Sequence, residues 1–172
     1  PLPGDHVLGR PDAPNVIIDY FSLTCPHCAN FNVAVLPRLR AEAIDKGRVA
    51  LVLRHYPSDS VATHAAQISE GVGAARFFDV VDALFRNQID WLTSPMPEVE
   101  MVKGLKSVGV SPEQAMAFIG NDELLTKIVA DVQTGQALRV RATPTLFING
   151  QFYGSPPGGA EGAEAILAAL GR

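Results

Sequence analysis

Val16-Ile17-Ile18-Asp19-Tyr20-Phe21-Ser22-Leu23-Thr24-Cys25-Pro26-His27-Cys28 changes character near its end. Val16 to Leu23 is a near-continuous apolar run broken by Asp19, the pattern of a strand buried on both faces of a parallel or mixed sheet. Beyond the cysteines the pattern turns helical. Phe31, Val35 and Leu39 recur at helical spacing, Pro37 predicts a kink and Gly47 an end. The chain's two cysteines both lie here, where strand gives way to helix. Two thiols so placed can form a reversible disulfide.

A helix start exposes backbone N–H groups and the positive end of the macrodipole, so Cys25 is expected to ionise more readily than a free cysteine. A free thiol titrates near 8.5, whereas cysteines in motifs of this kind titrate at roughly 3.5 to 7.5. Stabilising the thiolate also makes the disulfide a stronger oxidant. The His27 imidazole can add a hydrogen bond or, when protonated, a positive charge beside Cys25. Pro26 lacks an N–H, which the first helical turn can spare. Cys28, one turn further in, is expected to be more buried and to act as the resolving thiol.

Two other uses of a Cys-x-x-Cys fit less well. Structural zinc usually takes four ligands; there is no second cysteine pair, and His6, His27, His55 and His64 show no ligand spacing with the cysteines. A purely structural disulfide closing so short a loop removes little chain entropy.

At 172 residues the chain can build one substantial core, and 47% apolar composition suits a globular protein. The formal charge of −4, with acids and bases interspersed, leaves no basic stripe for nucleic acid or anionic lipid. No apolar run approaches the ~18 residues of a membrane span.

His6-Val7-Leu8 is a short strand candidate in an opening rich in Pro and Gly. Arg48 to Tyr56, with Val49, Leu51, Val52 and Leu53, reads as a second buried strand. Strand, helix, strand suggests a right-handed crossover unit. From Ser60 to about Leu138 the pattern is helical. Phe77, Val80, Val81, Leu84 and Phe85 form one stripe, and Leu125, Ile128, Val129 and Val132 a second, both read as core. Ser111-Pro112-Glu113-Gln114 carries a capping box with Pro at the first helical position, and Asn121-Asp122-Glu123 marks another start. Trp91, near Pro95 and Pro97, is expected in a loop. Thr145 to Ile148 is a strand, Asn149-Gly150 a hairpin turn, Gln151 to Tyr153 its return, and Ala163, Ile166, Leu167 and Leu170 define a last helix.

A redox Cys-x-x-Cys between strand and helix, Thr143-Pro144 just before a later strand, and a closing hairpin and helix together resemble the thioredoxin fold. Pro26-His27 between the cysteines, the run from Asp19 to Cys28 and the long helical block resemble the DsbA family of bacterial periplasmic thiol oxidases. Thioredoxin itself would place Trp before the first cysteine and Gly-Pro between the pair. The resemblance implies an α/β fold, a central mixed sheet flanked by helices, with residues 1–58 and 139–172 forming the thioredoxin-fold domain and 59–138 an inserted helical subdomain. It implies that Cys25 and Cys28 are the redox-active disulfide, with Pro26 and His27 part of the catalytic motif. Pro144 is then a cis-proline facing them, although a trans proline at a strand edge is the ordinary alternative. Thr143 is implied to pair with an extended substrate segment and to offer its hydroxyl to the Cys25 sulfur. Asp19, inside an apolar strand, is read as a proton acceptor near Cys28 with a raised pKa, against the alternative of a solvated or lysine-paired acid.

The same resemblance implies a monomeric periplasmic enzyme, its signal peptide removed, needing no metal or organic cofactor. Its clients are folding secreted proteins with free thiols, and a membrane quinone-linked reoxidase of the DsbB type resets it at a groove beside the cysteines. A disulfide isomerase or reductase is the second reading, because threonine at position 143 is also typical of DsbC and DsbG. Those isomerases carry an extra N-terminal dimerisation domain that these residues are not expected to form. A non-enzymatic peptide-binding module is the third.

Overall fold

A computed structural model describes residues 1–171. Its sheet joins β1 (His6–Leu8), β2 (Asn15–Phe21), β3 (Val49–His55), β4 (Thr145–Ile148) and β5 (Gln151–Gly154) in the order β1-β3-β2-β4-β5. β2 and β3 pair parallel, from Asn15 opposite Val49 to Phe21 opposite His55, and the other neighbours are antiparallel. This is the mixed sheet that the resemblance implies. β2 therefore has partners on both sides. Its residue Asp19 stands level with Leu53 on β3 and Leu146 on β4.

The crossover between β2 and β3 is one helical run: α1 (Pro26–Asn30), a π-helical turn (Phe31–Val35), α2 (Leu36–Leu39) and a second π turn (Arg40–Ile44). Pro37 has no N–H for the carbonyl one turn back, and the irregularity expected there takes the form of wider turns on both sides. Gly47 ends the segment at φ +70°, a conformation costly for other residues.

Between β3 and β4 come α3 (Ser60–Gly71), α4 (Ala74–Arg86), α5 (Gln88–Leu92), α6 (Pro97–Gly104), a 3₁₀ turn (Leu105–Val108), α7 (Pro112–Phe118) and α8 (Asp122–Ala137); α9 (Gly159–Ala169) closes the chain. Both halves of the capping box at Ser111 and Gln114 form, and Asn121 accepts from two N–H groups at the start of α8. Ile17, Phe21 and Leu51 from the sheet share one apolar core with Phe77 and Leu84 of α4 and Ile166 of α9. The inserted helices thus continue the core of the sheet.

Two expectations need correction. Trp91 lies in α5 and is 1% exposed, its indole N–H donating to the Leu84 carbonyl at 2.9 Å. Burial of that large ring holds the short helix despite the nearby prolines. In α8 the stripe read as core is only partly so, since Ile128 is buried whereas Leu125 and Val129 face solvent.

The inner side of α8 is polar because the surface that it covers is polar. The Glu70 carboxylate of α3, 2% exposed, accepts from His6 of β1 at 2.9 Å and lies 3.3 Å from the His55 imidazole of β3. Lys127 of α8 completes this network. Asp131 of α8 accepts the His55 backbone N–H at 2.9 Å, and Thr134 meets the Tyr20 hydroxyl at 2.9 Å. Arg54 bridges Asp5 and that same hydroxyl. Buried polar groups need such partners, and here they join the insertion to the sheet.

Candidate active site

β2 delivers the chain to a short loop, Ser22 to Cys25, from which α1 starts. Cys25 is the N-cap, with extended backbone (φ −80°, ψ 122°), and Pro26 occupies the first turn. Its own side chain therefore sits where the first free N–H groups of the helix point. The backbone N–H groups of His27 and Cys28 both act on its sulfur. Cys25 is half-buried and Cys28 buried, 1% exposed, and both are free thiols.

The pKa of Cys25 is lowered to about 5. The Cys28 thiol contributes most by hydrogen-bonding the Cys25 sulfur; partial burial opposes it, and the Thr143 side chain and the two N–H groups then add to the lowering. Cys28 moves the other way. Burial raises its pKa, as do its hydrogen bond to Cys25 and the proximity of Asp19. The two thiols are thus divided into one that is ionised at neutral pH and one that keeps its proton. A low-pKa exposed thiol is the nucleophile or attack point in exchange, and a buried one is not.

Asp19 is 2% exposed, and its Oδ1 has no hydrogen-bond partner among the described residues. Burial raises its pKa well above the ordinary carboxylate value, and the charge on Cys25 raises it further. A carboxyl of this kind holds a proton into the range where it can exchange it with a buried thiol. Neither a solvated acid nor a lysine pair describes this site.

Thr143 and Pro144, from the segment before β4, arrive opposite the cysteines. The Thr143–Pro144 peptide bond is cis, and the Cys25 Sγ lies 3.2 Å from the Thr143 carbonyl oxygen, to which it donates only when protonated. The topology thus brings Asp19, Cys25, Cys28, Thr143 and Pro144 to one end of the sheet. His27 joins them through its backbone. Its imidazole is exposed and makes no hydrogen bond among the described residues.

The sequence reading missed what holds the loop. The Gln88 amide of α5 donates to the carbonyls of Leu23 at 2.7 Å and Cys25 at 3.1 Å. Thr24 donates to Asp59 at 2.7 Å, and Asp59 also caps α3 through the Ala62 N–H. The Asp59 cap before Ser60 is a readable sequence signal, whereas nothing local marks Gln88. Beside Pro26, a shallow groove is lined by Ala29, Val33, Phe85 and Ile89, with Ile89 76% exposed.

This geometry meets a family model described as Thioredoxin, which matches residues 2–168. The chain belongs to the thioredoxin family. Among solved structures it is similar to alpha-DsbA1 of Wolbachia pipientis, with a TM-score of 0.84 and 26% identity over 99% of this chain and 90% of that one. That DsbA protein shares its thioredoxin fold with helices inserted between the two halves of the sheet. Among curated relatives, a Rickettsia bellii protein named Putative protein-disulfide oxidoreductase is 28% identical over 148 residues, 85% of this chain and 57% of that protein. A Bacillus cereus protein named Probable disulfide bond formation protein D is 28% identical over 151 residues, 83% of this chain and 69% of its own length. The chain spans a little over half the length of the Rickettsia relatives that it matches.

Proposed function

We propose that this thioredoxin-family chain is a dithiol oxidase that passes its Cys25–Cys28 disulfide to folding secreted proteins. The observation that carries the reading is the division between the two thiols: Cys25 lowered to about 5 at the surface, and Cys28 raised by burial behind it. A thiolate that is stable at neutral pH favours the reduced pair, and a stable reduced pair makes the disulfide a strong oxidant.

In the reaction a substrate thiolate attacks the Cys25 sulfur. The Cys25–Cys28 bond breaks, a substrate–Cys25 mixed disulfide forms, and the electron pair leaves on Cys28. Asp19, which holds a proton because it is buried, protonates that leaving thiolate. A second substrate thiolate then attacks the substrate sulfur of the mixed disulfide, releasing the oxidised substrate and the Cys25 thiolate. Two electrons have passed to the enzyme. The Cys25 thiolate is a good leaving group because its pKa is low. Backbone beside the cis Thr143–Pro144 bond pairs with the extended substrate in the manner of an added strand.

Reoxidation needs an external acceptor, for which we propose a membrane quinone-linked partner of the DsbB type, outside the cytoplasm, acting on a monomer. The similarity to a DsbA protein supports that setting. The same chemistry run by an enzyme kept reduced would make an isomerase or reductase, the alternative that Thr143 keeps open.

The test has two arms. The Cys28→Ser variant, mixed with a reduced secreted protein and an oxidant, traps a mixed disulfide at position 25, resolved on non-reducing gels. The glutathione equilibrium of the wild-type chain then separates oxidase from reductase. A potential near the −270 mV of thioredoxin refutes the oxidase reading. Retained function in a Cys25→Ser variant would instead identify a peptide binder.

A further inference from the structure

Gln88 belongs to the inserted helices and lies 63 residues from Cys25 in the chain, yet it is 4% exposed and bonded to the redox loop. A primary amide has two N–H donors. Both are used: one on the Leu23 carbonyl at 2.7 Å, the other on the Cys25 carbonyl at 3.1 Å. Leu23 lies beyond Phe21, the last residue of β2, and before the first intrahelical bond, which the Cys25 carbonyl accepts from Ala29. Its carbonyl therefore belongs to neither ladder. A buried carbonyl in that position needs a donor from elsewhere.

We propose that Gln88 is a positioning residue for the exchange site, an inference that rests on the oxidoreductase reading above. By fixing two carbonyls of the Ser22–Cys25 loop, it sets the angle at which Cys25 enters the helix. That angle decides whether the His27 and Cys28 N–H groups point at the Cys25 sulfur. α5 can hold the amide rigidly because Trp91 anchors it in the core. A side chain touching neither sulfur thereby tunes the thiolate, so the helical insertion acts on the chemistry as well as covering the sheet.

The experiment compares the wild type with Gln88→Leu, which removes both donors at similar volume. Cys25 is titrated by thiolate absorbance, and the equilibrium with glutathione is measured. The expected result is a rise in the Cys25 pKa of about one unit and a shift of about tenfold toward the disulfide in the glutathione equilibrium. Gly71→Ala serves as the control, since its Cβ would meet the Phe118 ring at 2.3 Å and strain the insertion far from the loop. It should lower Tm and leave Cys25 unchanged. If Gln88→Leu does not fold, Gln88→Asn, whose shorter arm cannot span both carbonyls, must show the upward shift. A Cys25 pKa equal to that of wild type in a folded Gln88 variant, or an equal shift in Gly71→Ala, overturns the proposal. A wild-type Cys25 that titrates near 8.5 would refute the oxidase reading and not this inference in particular.

Discussion

Replacing Asp19 by Asn tests the buried carboxyl with almost no change of shape. Asp19 stands between Leu53 and Leu146 with an unpartnered Oδ1, and burial raises its pKa well above 3.8. In the unfolded chain it ionises at the ordinary value, so above that pH the native state binds one more proton than the unfolded state. Stability falls as pH rises in that window, by about 1.4 kcal/mol per pH unit, until the native carboxyl itself ionises. Asn has no such dependence. Between pH 4 and pH 5 the variant should therefore gain about 1 kcal/mol on the wild type, or about 2–4 °C in Tm for a chain of this size. Below the unfolded value the linked difference vanishes. Thermal melts at several pH values check this, and parallel curves for the two proteins would refute the reasoning. Catalysis should move the opposite way. In the proposed mechanism Asp19 gives a proton to the leaving Cys28 and takes it back on reoxidation, so the variant should exchange about 10²-fold more slowly. A more stable and slower variant is the expected combination; an equally fast one would remove Asp19 from the mechanism.

Two further substitutions probe the scaffold. Burial raises the pKa of Glu70, but its hydrogen bonds with His55 and His6, and its contact with Lys127, outweigh that and hold it well below the ordinary carboxylate range. Glu70→Gln should cost about 3 kcal/mol at pH 7, toward the low end for a broken buried pair because Lys127 is partly exposed. Because the native pKa is depressed, the contribution of Glu70 is full above its unfolded value near 4.5 and is lost as pH falls below it. Denaturant melts at pH 7 and pH 3.5 should show the gap between variant and wild type narrowing; a constant gap would contradict the network. Gly135→Ala would bring a Cβ to 2.7 Å from the Tyr56 ring and 3.1 Å from that of Tyr20. Overpacking of about 1–3 kcal/mol should outweigh the helix-propensity gain, so Tm falls by a few degrees. An unchanged or higher Tm would mean that the rings yield freely.

The strand, the cysteines and the helix start were legible because their signals are local. An apolar run, a cap position and a hairpin dipeptide depend on neighbours in the chain. Asn149 and Gly150 accordingly turn with φ of 52° and 78°. α8 was misread because a helical stripe assumes an apolar partner, and Lys127, Asp131, Thr134 and Gly135 instead face charged groups and tyrosine rings. Trp91 was misread because the nearby prolines signalled a loop, while the force that keeps α5 helical comes from a core assembled elsewhere in the chain.

Gln88 and Asp19 show why the site itself was only half readable. Both are polar residues whose meaning depends on whether burial leaves them partnered. The sequence placed Asp19 in a buried strand, and burial alone requires that such a carboxyl either find a partner or keep its proton. Only the fold decides between these. Among the described residues it leaves Oδ1 without a donor and Cys28 close by, the arrangement on which the proposed proton exchange rests. Gln88 is the opposite outcome: the amide finds both of its acceptors, 65 and 63 residues away in the chain. The role proposed for Asp19 rests on its lacking a partner, and the role proposed for Gln88 on its having two.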